Sequence, residues 1–151
     1  MLLSDHEGPW TGTNSFRLMP TDEPHVAPAT AQVSHGAGGQ LALLRYTWSH
    51  AEDGGQDGLL VLGPDEEEGR VVALWGDSWH QSPAARTFSG SVEDGVVSTE
   101  LTYGGDWRWI IVVDASDPEM LRLRMDNVVP ASASPDRAGA YWAMQLDLRR
   151  G

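Results

Sequence analysis

Turn chemistry recurs along this chain too often for long helices and at a spacing that suits short strands. Clusters rich in glycine, aspartate and proline ("AEDGGQD", "GPDEEEG", "VEDG", "YGGD" and "DASDPE") cut the sequence into pieces. Between them lie runs that alternate in polarity and favour β-branched and aromatic residues, the pattern of half-buried strands. Ten such runs are predicted: Trp10–Leu18, Ala29–His35, Leu41–His50, Gly58–Leu62, Arg70–His80, Arg86–Gly90, Val96–Tyr103, Trp107–Val113, Met120–Asn127 and Ala140–Arg149. Most links between them are of hairpin length. The expected fold is therefore all-β, an antiparallel up-and-down meander forming a barrel or a sandwich. Two connections are longer, Pro20–Pro28 and Val128–Gly139, and loops of that length often serve as rims or lids. The 151 residues contain no internal repeat and no linker, so a single domain spanning 1–151 is expected.

Alternation also assigns faces, because successive side chains of a strand point to opposite sides. Trp10, Gly12, Asn14, Phe16 and Leu18 form one face of the first strand, against Thr11, Thr13, Ser15 and Arg17. By the same reading Leu44, Tyr46, Trp48 and His50 face inward, as do Val97, Thr99, Leu101 and Tyr103, and Trp107, Trp109 and Ile111. Leu121, Leu123 and Met125 are inward, which leaves Arg122 and Arg124 outside, pairing with Asp126 or a neighbouring strand. Trp142, Met144, Leu146 and Leu148 complete the set, and a β-bulge in any strand would invert the assignment beyond it.

Composition removes several functions. The net charge of −12 opposes nucleic-acid binding, which needs a basic face. The acids cluster in turns, as in Asp65-Glu66-Glu67-Glu68, and read as solvated loop tips rather than a calcium loop. Cysteine is absent, which excludes disulfides, thiolate metal sites and cysteine nucleophiles. All ten basic residues are arginines, so a Schiff-base lysine is excluded too. No apolar run reaches the ~18 residues that span a bilayer, and the N-terminus lacks the features of a signal peptide. A cytoplasmic protein with no membrane or nucleic-acid partner is expected. A homodimer is left open.

Two stretches carry a family resemblance. "GPWTGTNSF" is similar to the G-x-W start of the first strand in calycins, the superfamily of lipocalins, fatty-acid-binding proteins and nitrobindins. "GLLVLGPDEEEGRVVALWGDSWHQSP" resembles a bacterial calycin-like family of unknown function, in which a "G-l-G-y-D" turn precedes a strand ending near "W-x-D-S". The similarity runs from about Gly8 to Arg149. It implies a closed antiparallel barrel around one central cavity, and no reaction. Proline follows the first glycine where calycins usually have threonine, and proline is tolerated at the first position of a strand.

Candidate chemistry centres on "WGDSWHQSP". Ser, His and Asp together suggest a catalytic triad, but Asp77 and Ser78 are adjacent and must point to opposite faces. Nor does a G-x-S-x-G elbow expose the serine. With Trp75 and Trp79 inward, Asp77 lies between them on the apolar face, while Ser78 and His80 face out or end the strand. A carboxylate held against apolar rings has its charged form disfavoured, and could act as a general acid, orient a ligand, or pin the barrel through hydrogen bonds. His50 is the second inward polar residue, either a ligand or base, or a strand-end side chain bonded to backbone. The five histidines lack zinc-site spacing, so no metal is expected.

All seven tryptophans fall in predicted strands. Trp10 and Trp142 suit the packed base of a barrel. Trp48, Trp75, Trp79 and Trp107 would line a cavity with flat, hydrogen-bonding walls. The expected function is binding of one small, largely hydrophobic or aromatic molecule, with polar contacts from Asn14, Tyr46, His50, Asp77 and Tyr103 and no cofactor. One alternative is a cofactor-independent enzyme of the cyclase or isomerase kind, with Asp77 as general acid. Another is a barrel filled by its own side chains that binds a partner. A lesser one, implied by nitrobindin-like barrels, is haem held through one histidine.

Overall fold

The computed structural model describes residues 1–80 and 84–151, so the end of the quoted motif, Gln81 to Pro83, lies outside the described residues. Ten strands form the chain's framework: β1 (Gly8–Phe16), β2 (His25–Gly36), β3 (Leu41–His50), β4 (Gly54–Pro64), β5 (Arg70–Asp77), β6 (Arg86–Glu93), β7 (Val96–Tyr103), β8 (Trp107–Asp114), β9 (Met120–Val129) and β10 (Gly139–Arg150). Each pairs antiparallel with the next, and β10 returns to β1, so the meander is a closed barrel rather than a sandwich. Closure leaves no free sheet edge between first and last strand. The helical elements among the described residues are three short 3-10 turns, Ser4–His6 ahead of β1, and Ala37–Gly39 and Pro135–Arg137 between strands. No helix among the described residues is long and apolar enough to cross a membrane.

Local chemistry explains the hairpins. Between β6 and β7, Asp94 (φ 50°) and Gly95 (φ 81°) both take the left-handed conformation, as a two-residue type I′ turn demands. The strands outrun the sequence expectation at several ends. β2 begins at His25, inside the expected 20–28 loop, and β4 starts at Gly54. β1 and β5 instead stop early, at Phe16 and Asp77. Leu18 therefore lies outside the strand and is 59% exposed, not part of the inner face.

The two ends of the barrel differ. At one end, the floor, the N-terminal segment folds across the opening. His6 is buried, stacks on Trp10 at 5.1 Å, and donates its Nε2 hydrogen to the carbonyls of Asp117 and Met120 at 3.0 Å each. Trp10, fully buried, donates its indole N–H to the His6 carbonyl at 2.7 Å. The other end, the mouth, carries the C-terminal end of β5 and the connections 17–24, 51–53, 104–106 and 130–138. The ladder between β6 and β7 runs only from Ser89/Glu100 to Glu93/Val96, so their mouth-side ends are parted.

Face assignments hold along most strands, with Leu44, Tyr46, Trp48, Val97, Thr99, Ile111, Leu121, Leu123 and Met125 all buried. Arg122 and Arg124 lie outside and pair with Asp147 at 3.0 Å and Asp126 at 3.2 Å. Trp142 is the exception. In β10 the register shifts between Trp142, which pairs with Asp126, and Met144, which pairs with Met125. The bulge at Ala143 turns Trp142 to the outer face, where the Arg17 guanidinium lies 3.9 Å from its ring. Trp142 does not pack the base.

Candidate functional site

One row of paired residues builds the centre of the site. Ala31 pairs with Tyr46, Tyr46 with Gly58, and Gly58 with Asp77, so four strands contribute neighbours on the same inner face. The small residues let the phenol lie across the row. A Cβ on Gly58 would come within 2.1 Å of the Tyr46 ring carbon Cζ and 2.2 Å of its oxygen. Across this gap Tyr46 donates its hydroxyl hydrogen to Asp77 Oδ2 at 2.7 Å. Trp48 donates its indole N–H to the same oxygen at 3.0 Å, and Trp75 donates to the Tyr46 oxygen at 2.8 Å. Burial first, and the Asp77 charge second, hold the Tyr46 hydroxyl well above the usual tyrosine range, so it stays a donor.

The other carboxylate oxygen ends the strand. Asp77 Oδ1 accepts the backbone N–H of Trp79 at 2.9 Å and of His80 at 3.2 Å, an Asx-type turn that pulls the chain out of the β5 ladder. Alternation therefore stops at Asp77. Ser78 stays outside, where its hydroxyl donates to Gln56 Oε1 at 2.6 Å and accepts the Asp57 N–H at 3.0 Å, far from any triad. His80 neither faces out nor ends the strand, the two placements expected: β5 stops at Asp77 and the turn swings His80 into the mouth. Its ring stacks on Trp48 (5.1 Å between centroids, 22° between planes) and contacts Phe16, Trp75 and Trp109 at 5.7, 5.8 and 5.3 Å. Burial lowers the His80 pKa to about 4, with His50 adding to the fall and the Asp77 carboxylate opposing it, so the imidazole is neutral at pH 7.

Of the nine residues expected to bind a ligand, six gather here. Trp75 and Asp77 are buried with Tyr46 and Trp48, and Asp77 is 8% exposed. Trp79 is on the turn, not the strand; it stacks on His50 at 4.7 Å and donates its indole N–H to Asp53 Oδ2 at 2.8 Å, forming the rim. His50 Nδ1 accepts the backbone N–H groups of Glu52 and Asp53 at 3.2 and 3.1 Å, so this nitrogen serves the turn. The other three stand apart. Asn14 is fully buried, its Oδ1 accepting the Ser49 N–H at 3.3 Å. Tyr103, with Trp107 beside it at 6.4 Å, belongs to a polar chain across the mouth. There the Tyr103 hydroxyl donates to Asn127 Oδ1, Asn127 Nδ2 donates to the Tyr141 oxygen, and Tyr141 donates to the Leu18 carbonyl.

Sequence reasoning missed His80, Trp109 and Asn127 as site residues. Trp109 already stood on the inner face, where it stacks on Trp75 at 5.9 Å and 13°. His80 was hidden by reading the strand three residues too far. Two buried nitrogens of this cluster, His80 Nε2 and Trp109 Nε1, have no hydrogen-bond partner among the described residues, nor does Asn14 Nδ2. Buried polar groups are nearly always satisfied, by protein or by ordered water, so such atoms single out this cluster among the described residues. Clefts of about 670 and 690 Å³ lie elsewhere, beside the floor and on the outside of β4–β7, and neither is lined by any of these unpaired atoms. The mouth is the stronger candidate. No group of three metal-ligating side chains occurs among the described residues.

No protein-family model matches the chain, and no curated protein has a significantly similar sequence. The closed ten-strand antiparallel barrel is consistent with a calycin-like fold, and the fold is the part of the resemblance that stands.

Proposed function

We propose that the barrel binds one small, largely hydrophobic or aromatic molecule at its mouth. The observation that carries this reading is the aromatic cluster of Trp48, Trp75, Trp109, Phe16 and His80 at the mouth, which holds two buried nitrogens with no partner among the described residues. Flat apolar walls with a few polar atoms are the usual lining of a small-molecule site. Asp77 supports binding better than proton transfer. Its two oxygens accept four hydrogen bonds, from Tyr46, Trp48 and the amides of residues 79 and 80, so the carboxylate serves as an anchor. Membership of the bacterial calycin-like group with the "W-x-D-S" strand end belongs to the same proposal, since "WGDS" forms the end of β5 and the start of the turn that shapes the mouth.

Two measurements on purified protein test it. Native mass spectrometry is expected to show a retained adduct, or, after its removal, N-phenyl-1-naphthylamine is expected to bind saturably at one per chain with increased fluorescence. A clean apo mass together with no saturable probe binding would overturn the reading. An absorbance spectrum of the same sample separates the haem alternative, for which the unpaired Nε2 of His80, not His50, would be the nitrogen at hand. A Soret band would replace the metal-free guest by haem.

A further inference from the structure

The His80 ring sits in the mouth in the manner of a guest. It stacks on Trp48, lies against Trp75 and Trp109, and belongs to a turn rather than a strand. Its attachment is through the backbone, because what Asp77 holds is the His80 peptide N–H. Rotation about the side-chain torsions would remove the imidazole without breaking that bond. The ring is also poorly satisfied where it is: burying an unpaired polar nitrogen is costly, and neither His80 Nε2 nor Trp109 Nε1 has a partner among the described residues. A molecule that sent the imidazole back to water and offered Trp109 an acceptor would relieve both.

Charge narrows the guest. Asp77 is a carboxylate in the inner wall, and its described partners are neutral donors only. Arg17, the arginine of the 17–24 connection, is engaged by the carbonyls of Trp142 and Pro20. Asp53 holds Trp79 at the rim, and the chain carries a net charge of −12. Arg86 at the start of β6 and Arg137 in the 130–138 connection are exposed, and neither pairs with Asp77 among the described residues, so the net acidic field disfavours an anion here. A cation finds aromatic faces but gives the Trp109 N–H nothing to donate to.

We propose that the guest is a neutral aromatic molecule with one oxygen acceptor, which takes the place of the His80 imidazole and receives the indole N–H of Trp109. This rests on the mouth being the binding site, as argued above. The test is calorimetric titration of the wild type, His80→Ala and Trp109→Phe with 2-naphthol, naphthalene and 2-naphthoate, with near-UV circular dichroism as a folding control. Should the alanine variant fail to fold, His80→Gln, which keeps a polar chain but cannot stack as a ring, replaces it. The wild type is expected to bind 2-naphthol more tightly than naphthalene, and 2-naphthoate least. Loss of the competing imidazole should tighten 2-naphthol at least about tenfold. Trp109→Phe should weaken 2-naphthol about three- to tenfold, the span of one neutral hydrogen bond, and leave naphthalene unchanged. Equal or weaker binding by the His80 variant, or equal binding of all three compounds, overturns the exchange while leaving the mouth as a binding site. Failure of every compound to bind any of the proteins overturns both.

Discussion

Replacing Asp77 by asparagine tests whether the carboxylate is the anchor of the mouth. The wild-type group accepts four donors, two on each oxygen. An asparagine has one acceptor oxygen and one NH2, so one pair of donors must face another donor. If the NH2 replaces Oδ1, two peptide N–H groups lose their acceptor and the turn after β5 loses its tie. If it replaces Oδ2, the Tyr46 hydroxyl can rotate to accept, but the Trp48 N–H cannot. The second orientation is the cheaper. It leaves two buried donors, the Trp48 indole N–H and the Tyr46 O–H, without the acceptor they shared, about 1–3 kcal/mol each, and turns the remaining charge-assisted bonds into neutral ones of roughly half the strength. Removing a buried charge returns part of this. The net expectation is a loss of about 2–4 kcal/mol, which for a domain of this size lowers Tm by about 5–15 °C. Urea denaturation followed by tryptophan fluorescence measures it, with near-UV circular dichroism reporting Trp48 and Trp75. A loss below about 1 kcal/mol with an unchanged aromatic spectrum would refute the anchoring role.

The other predictions follow from the same geometry. Since the His80 pKa falls from 6.5 to about 4 on folding, the unfolded chain takes up the proton first as pH drops. His80 therefore favours the fold above pH ~6.5, and its contribution, about 3 kcal/mol by linkage, is lost between pH ~6.5 and ~4. His80→Leu should flatten that part of the stability–pH curve, and an unchanged slope would place the imidazole in water. Gly58→Ala puts a methyl group into the Tyr46 ring and should cost about 1–3 kcal/mol in chemical denaturation; a neutral result would deny the close approach. Trp10→Ala should cost about 3–5 kcal/mol and Trp142→Ala distinctly less, because only the first lies in the core. Equal losses would contradict the bulge in β10.

Most of the barrel was legible because its two faces differ in chemistry. A strand with Leu44, Tyr46 and Trp48 on one side and Arg45 and Thr47 on the other has one sensible orientation, and a one-residue slip would expose the whole set. The inner placement of Trp75 and Asp77 came from this alone. Two departures were not legible, and both are places where the period of two is broken. At Ala143 the bulge reverses Trp142, and nothing in "AYWAMQ" distinguishes it from a regular strand. At Asp77 the signal was present but ambiguous. "WGDSWH" alternates as a strand does, yet an aspartate two residues before a free N–H is also how a turn begins.

Which reading wins at Asp77 depends on where the carboxylate's partners lie. Tyr46 and Trp48 come from β3, one strand beyond β4, and they hold Oδ2 so that Oδ1 is left to gather the amides of residues 79 and 80. A contact between residues about thirty positions apart thus decides a local backbone choice, and sequence periodicity carries no information about it. The side chain nominated as the reactive group acts instead on its neighbours: by ending β5 it carries His80 from the outer face into the aromatic mouth. Functional groups gather at strand ends for the same reason that alternation fails there, since chain leaving the ladder can aim side chains the ladder cannot. A binding site in a barrel of this kind is therefore best sought at the first polar residue where an inward-facing strand stops.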